Sequence, residues 1–142
     1  MKRTLAVEHI ATTLLPQASL LVRLVAKQAD WTLTRSEGSV LSTLSTAPQR
    51  ITALAELEGL AQPTVTLLVQ RLQARGWVAR EAGPDRANMV VITPAGREAL
   101  EGFREQYRVL LREQLATMDD ELVTELLHAT QALSSLVTAL QA

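Results

Sequence analysis

The sequence predicts a mainly α-helical chain with one small β-hairpin set between its helices. Three observations carry this. Apolar residues recur every three or four positions through most of the 142 residues. The period drops to two only in Trp77-Val78-Ala79-Arg80 and Met89-Val90-Val91-Ile92, on either side of the turn sequence Gly83-Pro84-Asp85. Capping and stopping residues fall where the helical runs begin or end: Thr34, Gly59, Gly76 and Asp119.

The first helix is expected from Leu5 to Ala29, with Ile10, Leu14, Ala18, Leu21 and Val25 on one stripe. Pro16 lies inside that stripe and is expected to start or kink the helix there, because proline has no N–H to give. A second helix begins at Thr34. Thr34 and Glu37 have the spacing of a reciprocal cap, in which the hydroxyl takes an amide of the first turn and the carboxylate returns to the Thr34 amide. Ala47-Pro48-Gln49-Arg50 ends it. Thr52 is expected to cap a short third helix, Ala53 to Glu58, with Gly59 as its left-handed stop. Gln62-Pro63 opens a fourth helix, where proline costs nothing, and it runs to Arg75 and stops at Gly76. Its inner face is Val65, Leu68, Val69 and Leu72. After the hairpin, Thr93-Pro94 caps a long helix to about Ala116. Asp119 caps the last, which carries Leu122, Leu126, Leu133, Leu136, Val137 and Leu140 at helical spacing.

Composition excludes several kinds of function. The net charge is -1, so no general positive field draws the chain to nucleic acid, and any such contact must be local. There is no cysteine, which removes thiolate catalysis, thiol redox sensing and cysteine-held zinc. Aromatic residues are 3% of the chain, too few for a base-stacking platform. The uncharged run Ile10 to Val22 is too short to cross a bilayer, so the expected protein is soluble and cytoplasmic. His9 has Glu8 beside it and His128 has Glu125 one turn back, but one histidine with one acid does not make a metal site. No nucleophile–base pair or phosphate loop is visible, so no enzyme and no cofactor are expected.

A short helix, a tight turn, a second helix and then a hairpin is the order of a winged helix-turn-helix. A helix fits the DNA major groove and presents its polar side chains to base edges, while a hairpin tip reaches the adjoining minor groove. Thr64, Thr66, Leu67, Gln70, Arg71, Gln73 and Ala74 lie off the buried face of the fourth helix. Thr64 and Thr66 either read DNA or serve the first helical turn. Arg71 either contacts DNA or pairs with Glu81 or Asp85. Leu67 either meets a thymine methyl or is simply an exposed leucine. Arg86 is the one cation near the hairpin tip. Residues 50–97 hold six arginines and four acids, a local +2.

Together these residues resemble the MarR family of bacterial transcription regulators. The resemblance runs through Leu33-Thr34, Ile51-Thr52-Ala53-Leu54-Ala55, Pro63-Thr64-Val65-Thr66, Arg71-Leu72-Gln73-Ala74-Arg75-Gly76-Trp77-Val78, Asp85-Arg86 and Ile92-Thr93-Pro94-Ala95-Gly96. It covers essentially the whole chain. It implies a homodimer with interlocked terminal helices and one winged lobe on each half of a pseudo-palindrome in double-stranded DNA. Two positions depart from the family pattern: Leu67 stands where arginine is usual, and Gln70 where an aspartate commonly pairs with a wing arginine. The wing is also about two residues shorter than usual.

The expected organisation is a single domain, with residues 34–93 as the winged lobe and residues 1–30 and 94–142 as the dimerisation lobe. Candidate DNA-binding residues are Thr52, Gln62, Pro63, Thr64, Thr66, Leu67, Gln70, Arg71, Arg75 and Arg86. Candidate dimerisation residues are Ile10, Leu14, Leu126, Leu133, Val137 and Leu140. Trp31 ends the first helix and either lines an effector pocket with Val22 or plugs the core. Without cysteine, the expected trigger is a small lipophilic or aromatic molecule. The rival reading is a winged protein-interaction module that has lost DNA binding, favoured by Leu67, Gln70 and the short wing.

Overall fold

In the computed structural model, which describes residues 2–29, 32–82 and 88–142, the helices fall close to where periodicity places them. They are α1 (Arg3–Gln28), α2 (Arg35–Thr46), α3 (Ile51–Glu58) and α4 (Gln62–Ala74), then strands β1 (Val78–Ala82) and β2 (Asn88–Ile92), then α5 (Pro94–Leu115) and α6 (Asp120–Gln141). Two compact units emerge, Met1–Tyr107 and Arg108–Ala142.

The first unit is organised around α2, α3, α4 and the hairpin. Val40, Leu41 and Leu44 from α2, Leu54 from α3, and Val65, Leu68, Val69 and Leu72 from α4 form one core with Val78, Val90, Leu33 and Leu100. Each fully buried Leu or Val contributes about 1.5–3 kcal/mol, so this cluster dominates the lobe's stability. The start of α5 runs back along α2. The Phe103 ring lies against Gly38, where a Cβ would stand 3.0 Å from it. Arg104 reaches the Ser42 hydroxyl and Arg97 the Ser45 carbonyl.

The caps follow the sequence reading in most places. The Thr34 hydroxyl accepts the Glu37 amide at 3.1 Å, and Glu37 Oε1 accepts the Thr34 amide at 3.0 Å. Asp119 accepts the Leu122 amide and starts α6. Gly59 and Gly76 both adopt positive φ, where other residues are strained.

Three expectations need correction. Thr52 does not cap α3. The helix begins two residues earlier, at Ile51, because the Leu54 amide bonds the Arg50 carbonyl, so Arg50 is the capping residue and Thr52 lies inside the first turn. Pro16 does not start α1, which is continuous through it. The proline withholds one amide from the Thr12 carbonyl, while the Thr12 hydroxyl bonds back to Glu8 and the surrounding helix carries on. Finally, counting only the uncharged run understated α1. Over its 26 residues the helix is long and apolar enough to cross a membrane by length and composition, and none of that apolar window is buried.

The sheet is an antiparallel pair in the register Val78↔Ile92 to Ala82↔Asn88. Trp77 precedes β1 rather than opening it. Gln49 adds a one-residue third edge, exchanging hydrogen bonds with Val90 at 3.1 and 2.7 Å.

In the second unit, the end of α5 closes through Ala116, Thr117 and Met118, whose amides bond carbonyls of the last helical turn. All of α6 is exposed within the single chain. Leu122, Leu126, Leu133, Val137 and Leu140 form a row along it at helical spacing.

Candidate nucleic-acid interface

α3 and α4 are joined by a tight corner. The Gly59 amide bonds Ala55 and Glu56 carbonyls, and the Leu60 amide bonds Ala55 at 3.0 Å. Ala61 then caps α4 through its carbonyl, which takes the Thr64 and Val65 amides. Glu58, in the last turn of α3, accepts the Ser39 hydroxyl at 2.6 Å and the Thr43 hydroxyl at 2.8 Å. One carboxylate thus holds α3 against α2, which props the corner. Nothing in the periodicity marked Glu58, because its partners are 15 and 19 residues away.

With Val65, Leu68, Val69 and Leu72 buried, α4 turns the rest of its surface outward. Gln62, Pro63, Thr64, Leu67, Gln70 and Arg71 are exposed, and Thr66 is half-buried. The Thr66 hydroxyl donates to the Gln62 carbonyl at 3.0 Å, so its proton is used within the helix and its oxygen faces out as an acceptor. Among the described residues Arg71 makes no ion pair, Glu81 included. Thr52 is exposed on α3. These side chains can offer donors, acceptors and one cation to a groove of DNA.

Arg75, expected at the DNA, also makes contacts within the lobe. Its guanidinium donates to the Thr32 carbonyl at 2.9 Å and lies 4.8 Å from the Trp77 ring centre. It stands 3.8 Å from Oε2 of Glu37. Glu37 is only 3% exposed, and that oxygen has no hydrogen-bond partner among the described residues. Arg75 therefore ties the end of α4 to the start of α2. The Thr32–Arg75 contact spans 43 residues, so no local pattern announced it.

The base of the hairpin is closed by Thr93. Its hydroxyl donates to the Gly76 carbonyl at 2.6 Å and accepts the Gly96 amide at 3.0 Å, and its own amide bonds the Trp77 carbonyl. Gly96 is required here, since a Cβ would come within 2.1 Å of the Trp77 carbonyl oxygen. Gly83-Pro84-Asp85 and Arg86, expected at the wing tip, and Trp31, expected at an effector pocket, lie outside the described residues. Val22 is exposed on α1, as is Ile10, while Leu14 is half-buried.

A helix–corner–helix followed by a short antiparallel wing is thus in place, and comparison with known proteins assigns it. The family model described as MarR family matches residues 33–85. An uncharacterized HTH-type transcriptional regulator of Bacillus subtilis (strain 168), YwoH, is 31% identical over 120 residues, covering 80% of this chain and 88% of that protein. The chain belongs to the MarR family. Solved structures agree on the fold of this MarR chain. RV1404 from Mycobacterium tuberculosis matches with a TM-score of 0.79 at 25% identity, over 93% of this chain and 94% of that one. A MarR family protein from Bacillus stearothermophilus matches with a TM-score of 0.77 at 20% identity, over 97% and 99%. MarR proteins are transcription regulators, a family of regulators and not of enzymes, and this chain carries their DNA-binding winged helix.

Proposed function

We propose that this MarR regulator is a homodimer that binds a pseudo-palindromic operator in double-stranded DNA and is released by a small lipophilic or aromatic effector. The observation that carries the proposal is the outward face of α4, where Thr64, Gln70 and Arg71 are exposed beside a fully packed inner face. In a dimer, two such helices about 34 Å apart enter successive major grooves. Gln62, Pro63, Thr64, Thr66, Gln70 and Arg71 meet bases and phosphates from α4, Thr52 approaches the backbone from α3, and Arg86 supplies the wing cation.

Residues 34–93 act as the reading lobe, and residues 1–30 with 94–142 act as the dimerisation lobe. The exposed apolar rows of α1 and α6 support this division. Leu126, Leu133, Val137 and Leu140 on α6 and Ile10 on α1 are each at least 40% exposed in the single chain. A second subunit covers them. We assign the bare surface of α1 to that subunit rather than to a membrane, because α6 exposes a comparable row and because the chain carries a DNA-binding winged helix; in this reading the protein is cytoplasmic, at the nucleoid. An effector wedged near Trp31 and Val22 changes the spacing of the two reading helices, and so favours the free protein by differential affinity.

Leu67, exposed where the family usually has arginine, favours a second reading: a winged protein-interaction module that no longer binds DNA. Gel shifts with the chain's own upstream DNA and with random DNA, at two salt concentrations, separate the two. Tight binding to the upstream duplex over random DNA supports the operator reading. Absence of binding to either duplex at low salt overturns it in favour of the second.

A further inference from the structure

Leu67 holds an unusual position. It is 53% exposed, although Leu68 beside it is 5% exposed and fills the core place. The inner face of α4 is complete without it, so Leu67 is not a core residue pushed outward. It sits in the middle of the outer face, with Thr64 one turn before it and Gln70 and Arg71 one turn after it. The surface it meets must be polar at both ends and apolar at the centre.

The major groove offers one apolar feature among its base edges, the C5-methyl of thymine. Thr64 to Arg71 spans about 10 Å of helix at 1.5 Å per residue, or about three base-pair steps. We propose that Leu67 is a specificity-determining residue that reads a thymine methyl at the centre of each half-site, between bases met by Thr64 and by Gln70 or Arg71. This rests on the operator reading above and names one of its letters. Gln70 beside it has the amide geometry that suits an adenine edge, so the half-site carries a thymine within about two base pairs of an adenine.

Deoxyuridine tests this directly, since it lacks only the C5-methyl and keeps thymine's hydrogen-bonding edge. Preferred duplexes are first selected by the intact protein from a randomised library. Each thymine of the selected site is then replaced by deoxyuridine in both half-sites, and affinity is measured by fluorescence anisotropy. One position is expected to lose about fourfold in affinity per half-site, the transfer value of one methyl group. Leu67→Ala, at an exposed helical position where alanine is well tolerated, is expected to bind the thymine and deoxyuridine duplexes equally. Leu67→Met keeps an apolar group there and is expected to retain the difference. Deoxyuridine without effect at every position, or an undiminished effect in Leu67→Ala, overturns the proposal while leaving the operator reading intact. A library that yields no preferred duplex overturns both.

Discussion

Replacing Arg75 with alanine should loosen the end of α4 from the rest of the lobe. A hydrogen bond from a charged donor contributes about 1.5–3 kcal/mol. Arg75 is 44% exposed, so its bond to the Thr32 carbonyl belongs at the low end of that range. The contact with the Trp77 ring at 4.8 Å adds about 0.5–1 kcal/mol at a site of this exposure. The 3.8 Å pair with Glu37 is long and half in water, and by itself contributes little. Its loss still leaves a buried carboxylate with no cation paired to it among the described residues, which is costly. The expected total is about 2–3 kcal/mol, or a fall of about 6–10 °C in Tm for a chain of this size. Urea and thermal unfolding measure it directly. Arg75→Lys keeps the charge but not the flat guanidinium, and should fall in between. An alanine variant within about 0.5 kcal/mol of the parent would refute the reasoning. The same variant settles whether Arg75 serves DNA. With its guanidinium engaged internally, the slope of log affinity against log salt should stay unchanged. A drop of about one unit per subunit would put Arg75 on a phosphate instead.

Other outcomes follow from the structure and from the proposed function. Gly96→Ala should cost more than about 3 kcal/mol or abolish soluble expression, because its Cβ meets the Trp77 carbonyl at 2.1 Å; Gly102→Ala on the same helix, with open space around it, should be neutral or stabilising by up to about 1 kcal/mol in denaturant titrations. Replacing Leu133 and Val137 together by aspartate should convert the proposed dimer to a 15.5 kDa monomer in light scattering, or unfold it, and an unchanged dimer would remove α6 from the interface. Arg86→Ala should weaken binding to every duplex alike and lower the salt slope by about one unit per subunit. Gln70→Ala should cost about 1–3 kcal/mol on the preferred site and little on random DNA; equal losses on both would make its role structural.

Much of the fold was legible because its signals are local. The Thr34–Glu37 cap, the Asp119 cap, the glycine stops at 59 and 76, and the change of period at the hairpin all lie within a few residues of what they determine. Thr52 misled because a threonine in the first helical turn and one at the cap look alike in sequence. Which it is depends on the backbone of Arg50, extended at φ -78° and ψ 156°. Gln49 was unreadable as a strand because a single bridge has no period. The outer face of α4 followed from the inner one by subtraction. The uses of Arg75 and Glu58, and the pairing of Glu37 with Arg75, did not, since those partners come together only when α2, α3 and α4 pack.

Thr93 gives this fold an engineering freedom. It seals the hairpin at its base, from Gly76 and Trp77 on one side to Gly96 on the other. The hairpin's core side chains, Val78 and Val90, lie close to this base. Closing a somewhat longer or shorter loop changes stability by only a fraction of a kcal/mol, roughly as the logarithm of its length. A wing can therefore be lengthened or trimmed without refolding α4. Reach and grip are separately adjustable, and a designer could graft a longer wing between Ala82 and Asn88 while leaving every contact of the base in place.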